Sequence, residues 1–252
     1  NDLVSGAGGT CSIKEFNSDM TGWKSGGLEK QLFKTNFNNL AGEGWHIQKI
    51  NGYYYIFGIA WPSGHGRLEF VYRSKSLTGN WEGKTILDSG VGSYGSGLAQ
   101  GGIIETPDGK WYGLLFQDHG AVGRIPSLVP VTWQDGWPMM GVNGKAPVTL
   151  TFDTDEFTGS SLACSDDFSY SSNDLKLEWQ WNHNPDNKSW SVTERDGWLR
   201  LHNNTKASNL LNARNTLTMR TEGPSCSSYI KLDTKGMKVG DYARLSAFQF
   251  KH

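Results

Sequence analysis

Three cysteines in 252 residues are too few for a disulfide-stapled scaffold. Charge is scarce too: Asp, Glu, Lys and Arg make up 19% of the chain, and 24 basic against 25 acidic residues leave a formal net charge of −1. Nucleic acid or an anionic membrane surface as the main partner would favour a basic stripe, so neither is expected. No run approaches the roughly 18 consecutive apolar residues of a membrane-spanning helix. The chain holds no CxxC, HExxH or Gly-x-Ser-x-Gly element, which leaves no strong metal signature and disfavours a serine hydrolase. Gly6-Ala7-Gly8-Gly9 is followed by neither Lys-Ser/Thr nor a helix, so it is not a phosphate loop. Asn1 opens no basic and apolar leader, as expected if a secretory signal was removed or never present.

The chain is instead rich in Gly (32), Trp (11) and Tyr (9). A polar but weakly charged chain of this kind suits a loop-rich β protein that handles neutral polar ligands, with carbohydrate the leading class.

Apolar runs are short, β-branched or aromatic, and bounded by Gly, Pro, Asn and Asp, the pattern of strands and turns. Residues 47–57, IQKINGYYYIF, carry an Asn51-Gly52 turn, the favoured pair of a tight type I′ hairpin. Residues 103–116, IIETPDGKWYGLLF, repeat the scheme around Pro107-Asp108-Gly109, and Gly52 and Gly109 stand 57 residues apart. That spacing fits one blade of a propeller. EFVYRSKSLTGNWEG (69–83) adds a strand, a Thr78-Gly79 turn and an edge Trp81, and CSIKEFNSDMTGWKSGG (11–27) a strand, a Thr21-Gly22 turn and Trp23. Stepping the period back from Gly52 places a turn before Asn1, so the chain is expected to begin inside a blade. About two and a half blades then precede residue 145, where a closed propeller needs at least four, so the chain is expected to be incomplete or completed by a second chain.

From Val142 to Phe168, VNGKAPVTLTFDTDEFTGSSLACSDDF is rich in Thr, Ser, Asp and Gly. It reads as a linker over 146–165 between a partial propeller (1–145) and a second domain (166–252). LKLEWQWNHN (175–184), WSVTERDGWLRLH (190–202), TLTMRT (216–221) and SSYIKLDT (227–234) alternate as the strands of half a β-sandwich, and AFQFKH stops in mid-strand.

Several residues invite chemistry, each with a plainer reading beside it. Glu43, between two glycines in LAGEGWHIQKI and next to Trp45, suits a general acid or is an ordinary loop carboxylate. Arg124 in QDHGAVGRIPSLVPV is a fork for ligand oxygens or a salt-bridge partner. Asp118 and His119 could pair with it, position a substrate or line a metal, while a lone His is more often a structural hydrogen-bonder. Trp45, Trp61 and Trp111 offer faces for sugar rings or fill blade interfaces. Cys164 and Cys226 form a disulfide or remain two thiols. Asp166-Asp167-Phe168 is a structural Ca²⁺ site or a solvated acidic pair.

Together, SGAGGT, GEGWHIQKINGYYYIF, YRSKSLTGNWEG, the long run LAQGG to WPMMG (98–141) and LEWQWNHNPDNKSWSVTERDGWLRL resemble glycoside hydrolase family 43, specifically the β-xylosidase and α-L-arabinofuranosidase branch. The resemblance implies an all-β chain: part of a five-bladed propeller followed by a truncated concanavalin-like sandwich. It implies an inverting hydrolysis with one carboxylic acid and one carboxylate base. By the Glu-Gly-x-His match, Glu43 corresponds to the general acid and Arg124 to the substrate-contacting arginine. Gln100 stands where many members place a pocket histidine; His119 stands nearby, and Trp45 lines the pocket wall. No cofactor is required, and a structural Ca²⁺ is the one ion the resemblance raises. The family's aspartate base and its second, pKa-tuning aspartate would both precede Asn1, since Asp2 and Asp19 match neither motif, so this chain alone is expected to be inactive. The implied partners are xylo- or arabinoxylo-oligosaccharides, and an extracellular location is expected. The rival readings are a non-catalytic carbohydrate-binding protein and, more weakly, a structural propeller module.

Overall fold

The computed structural model describes residues 10–35, 42–152, 159, 161–223 and 225–248. Its elements are strands and two short 3-10 turns, with no α-helix among the described residues. Two compact units divide at residues 153 and 154.

The first unit holds three antiparallel sheets. Strands β1 (Thr10–Lys14) and β2 (Glu29–Lys34) form a pair. Strands β3 (Glu43–Ile50), β4 (Tyr53–Ala60), β5 (Leu68–Ser74) and β6 (Glu82–Leu87) follow one another in a meander. So do β7 (Ala99–Glu105), β8 (Trp111–Asp118), β9 (Arg124–Gln134) and β10 (Trp137–Met140). Two four-stranded sheets and a two-stranded piece fit the expected two and a half blades.

The turn chemistry explains the hairpins. Asn51 and Gly52 both take positive φ, 49° and 81°, as a type I′ turn requires, and Ile50 pairs with Tyr53 across it. At the corresponding turn, Gly109 has φ 75° and Thr106 Oγ1 donates to Asp108 Oδ1 at 2.5 Å. Phe16 bridges to Trp23 around the Thr21-Gly22 turn, with the rings stacked at 4.4 Å.

The middle sheet is covered on both faces, so β4 and β5 read as near-continuous apolar runs. On one face Tyr55, Phe57 and Val71 pack with Leu98, Ile103, Leu115, Val129, Trp137 and Met140 of the next sheet. On the other, Leu68, Phe70 and Tyr72 meet Phe33, Trp45 and Trp81. The inner edges of the first strands are tied by Gln48, whose amide donates to Ile103 O at 2.7 Å and accepts from Ile103 N at 3.0 Å. Ala146 is buried and donates its N–H to Ser89 Oγ, so the first unit extends into the stretch expected as linker.

In the second unit strands are short: β11 (Trp179–Trp181) pairs with β14 (Leu217–Met219), and β12 (Trp190–Ser191) with β13 (Arg200–Leu201). Of the strand pattern expected over 190–202, only the two-residue strands β12 and β13 form. The strand expected at SSYIKLDT is not: 227–234 has no ladder, and Tyr229 is 92% exposed. Alternation there finds no opposing sheet among the described residues of the unit, so burial does not reward strand pairing. Of AFQFKH, residues 249–252 lie outside the described residues. Cys164 and Cys226 are free thiols.

Candidate active site at one end of two blades

Strand direction gathers the candidates. Glu43 opens β3, Ala60 closes β4 and Leu68 opens β5; Ala99 opens β7, Asp118 closes β8 and Arg124 opens β9. The two sheets run alike, because Gln100 lies against Gly44 and Gln48 bonds Ile103. Glu43, Trp61, Arg67, Gln100, Phe116, Asp118, His119 and Arg124 therefore stand at one end of the two blades.

Glu43 pairs with Ile59, and three steps along β3 to His46 match two along β4 to Phe57. This bulge turns on Gly44, with φ 67°. The Glu43 side chain is exposed and takes no hydrogen-bond partner among the described residues. Trp45 faces the other way. Its ring meets Phe33 and Phe70 at 5.6 and 5.8 Å, and a Cβ on Gly58 would stand 2.4 Å from it. The tryptophan expected on the pocket wall thus packs behind the Glu43 turn, toward β1 and β2, because the bulge reverses its side. Trp111 is also core, edge-on to Trp133 at 5.4 Å.

Arg124 combines both of its expected readings. Its Nε lies 3.5 Å from Asp118 Oδ1, its guanidinium lies 4.5 Å over the Phe116 ring, and its side chain is still 63% exposed. Asp118 also accepts from Arg67, which is 5% exposed and donates to Ser96 Oγ at 3.0 Å. Arg67 lies between Phe116 and Trp61, 4.1 Å from the Trp61 ring. Trp61 is 63% exposed, so a tryptophan face is held open on a buried arginine. His119 stacks on Tyr94 at 3.8 Å, and its Nε2 is buried without a partner among the described residues.

Gln100 has φ 62° and sits in a second bulge, where Ala99 faces Phe116 and Gly102 faces Leu114. A Cβ on Gly44 would stand 2.6 Å from Gln100 Nε2, so the two bulges touch. Beneath them lies Glu69, fully buried, whose Oε2 accepts from Gln100 N at 2.7 Å. Burial pushes its carboxyl well above the ordinary value, and the N–H groups of Gln100 and Gly101 offset this only in part.

Among the described residues no three His, Cys, Asp or Glu side chains converge as a metal site. Asp166, weighed as a calcium ligand, is committed to protein donors: Tyr170 OH, Trp179 Nε1 at 2.7 Å and Phe168 N at 2.9 Å, with Lys176 Nζ at 3.5 Å. Sequence reasoning missed Arg67, Glu69 and Gln48. The available signal for Glu69 was its place two residues before Val71, on an inward-facing register of a strand.

Known proteins resemble this chain in sequence and fold. The family model described as Glycosyl hydrolases family 43 matches residues 6–138. The chain belongs to glycosyl hydrolase family 43. Residues 165–252 match the family's β-xylosidase C-terminal concanavalin A-like domain. A β-xylosidase of Formosa agariphila is 33% identical over 249 residues, covering 81% of this chain and 42% of that protein. A non-reducing end α-L-arabinofuranosidase of Bacteroides ovatus is 30% identical, covering 63% of this chain and 32% of its own length. Among solved structures, a bifunctional GH43-CE protein of Bacteroides eggerthii superimposes with TM-score 0.74 at 40% identity, covering 88% of this chain and 29% of that one. The family 43 chain thus spans about two fifths or less of the curated relatives it matches.

Proposed function

We propose that this family 43 chain carries the acid side of an inverting glycosidase that removes terminal xylose or arabinofuranose from xylan or arabinoxylan. The observation that supports this most is the meeting of the Glu43 and Gln100 bulges at the blade end that also carries Arg124. Glu43, exposed on a glycine-framed bulge, protonates the departing glycosidic oxygen. Gln100 and Arg124 hold hydroxyls of the non-reducing sugar, and Trp61 offers its open face to a sugar ring. His119, stacked on Tyr94, closes this end, and Trp45 braces the Glu43 turn from behind. No cofactor enters this chemistry. Inversion also needs a carboxylate to activate water. Asp118 is engaged by two arginines, so the reading takes the base, with the second aspartate that tunes the acid, from outside the described residues.

The test is Glu43→Gln in the complete natural polypeptide, with xylobiose and an arabinoxylo-oligosaccharide as substrates. Loss of the acid is expected to lower kcat by about 10²–10⁴-fold, and far less with a dinitrophenyl leaving group that needs no proton. Near-normal turnover of the oligosaccharides by this variant overturns the assignment. Sugar binding without turnover by the unaltered protein would instead favour the carbohydrate-binding reading.

A further inference from the structure

The acid that the proposed chemistry does not use is Glu69. It stands on β5 between Ile59 and Leu87 in the ladder, both 2% exposed, and is itself 0% exposed. An apolar residue would be the default there, because taking an ionisable group out of water is costly unless it is paired. Its Oε2 accepts from Gln100 N at 2.7 Å, the Gly101 N–H also favours its charged form, and its Oε1 has no partner among the described residues. These two N–H groups belong to the segment where β7 leaves its ladder, three residues against two of β8. Without an acceptor they would be orphaned in the interior.

The bulge is also costly in itself. Gln100 has φ 62°, a left-handed conformation that disfavours residues with a Cβ. Gly101 admits no substitute, since a Cβ there would lie 1.8 Å from Leu114 O. What the distortion achieves is visible on its far side: the Gln100 side chain lies against Gly44, next to Glu43.

We propose that Glu69 is a positioning residue, which holds the β7 bulge so that Gln100 is presented beside Glu43 to seat the terminal sugar. The inference rests on the function proposed above. Its mechanical half, the coupling of Glu69 to Gln100, can be read without turnover.

The experiment compares Glu69→Gln, which keeps an acceptor oxygen, with Glu69→Met, which has none, each alone and with Gln100→Gly, in the complete polypeptide. In Glu69→Met the amides of Gln100 and Gly101 are expected to exchange with deuterium about tenfold or more faster, and in Glu69→Gln at nearly the native rate. On xylobiose, Glu69→Met is expected to lower kcat/KM about tenfold, while Glu69→Gln stays within about threefold. In the Gln100→Gly background, Glu69→Met is expected to change kcat/KM less than about twofold, because its effect is routed through a side chain already gone. An equal loss in both backgrounds, or unchanged exchange in Glu69→Met, overturns the inference. Should Glu69→Met fail to fold, Glu69→Gln decides: a loss as large as that of Gln100→Gly alone overturns it. Glu43→Gln is the control that separates the two readings. If that variant is inactive and the cycle shows no coupling, only the positioning role falls. If it is fully active, the acid assignment falls, and the exchange data still judge what holds Gln100.

Discussion

The middle blade and the C-terminal unit reach order by different routes. In the blade, β4 and β5 are buried on both faces, and Phe57 and Val71 are 0% exposed. Ladder bonds and apolar packing hold it together. In the C-terminal unit the strands are two or three residues long, and Trp190 and Val192 are its buried hydrophobics among the described residues. There, carboxylates and amides do the joining. Asp166 gathers Tyr170, Trp179 and the Phe168 N–H, while Asp186 takes Ser189 Oγ at 2.9 Å and the Lys188 N–H at 3.1 Å. Asn173 Oδ1 accepts from Val192 N at 2.8 Å. A region closed by burial should be sensitive to lost volume; one closed by anionic acceptors should be sensitive to lost charge and to acid.

The largest effect should come from Phe57→Ala. The ring is fully buried between two sheets, and truncations of this kind cost about 3–5 kcal/mol. Denaturant unfolding followed by hydrogen exchange should place that loss on the first unit alone. A loss shared by residues 161–248 would mean the units are not separate in stability.

How much of this was legible in advance follows the same division. The hairpins were readable because Asn51-Gly52 and Pro107-Asp108-Gly109 are local statements about φ, and the blades because apolar alternation recurs around them. Whether Trp45 faces the pocket or fills a blade interface is not legible in the sequence, because its side depends on the bulge at Gly44, which pairing with β4 creates. Glu69 and Arg67 were missed because their partners, Gln100 and Asp118, lie 31 and 51 residues away. In the C-terminal unit, SSYIKLDT satisfied the strand pattern without a neighbour to pair with. The Asp166 cluster, read as a calcium site or a solvated pair, depends on Trp179 folding back onto it.

Asp166→Ala should be the next largest perturbation, about 1–3 kcal/mol on the C-terminal transition, since it strands the Trp179 and Tyr170 donors. Acid should act on the same contact. Burial opposes ionisation of Asp166, but the bonds from Tyr170, Trp179 and the Phe168 N–H, with Lys176 nearby, outweigh it and hold its carboxyl below the ordinary value. A depressed carboxyl contributes stability that is complete above the unfolded value, near pH 4, and is lost as pH falls through the folded one. Glu69 has the opposite sign: its raised value favours the folded state at low pH, and that contribution is lost as pH rises through the folded value. Acid titration should therefore weaken the C-terminal unit in the native protein and less so in Asp166→Asn. An identical acid response in Asp166→Asn would show that this carboxylate does not carry the difference.

The smallest effect tests whether the two units differ in packing alone. Gly52 turns the β3–β4 hairpin at φ 81°, and Gly197 lies between β12 and β13 at φ 74°. A Cβ on Gly52 would meet nothing within 4 Å, and one on Gly197 only Asp167 O at 3.6 Å, an ordinary contact. Neither substitution removes a buried group, so Gly52→Ala and Gly197→Ala should each cost the backbone term alone, about 1 kcal/mol, on their own unit's transition. Equal costs would leave burial against anionic acceptors as the source of the contrast. A cost at Gly197 several times that at Gly52 would mean that the C-terminal unit depends on its turns as well, and the contrast would then lie in backbone order rather than in what covers the strands.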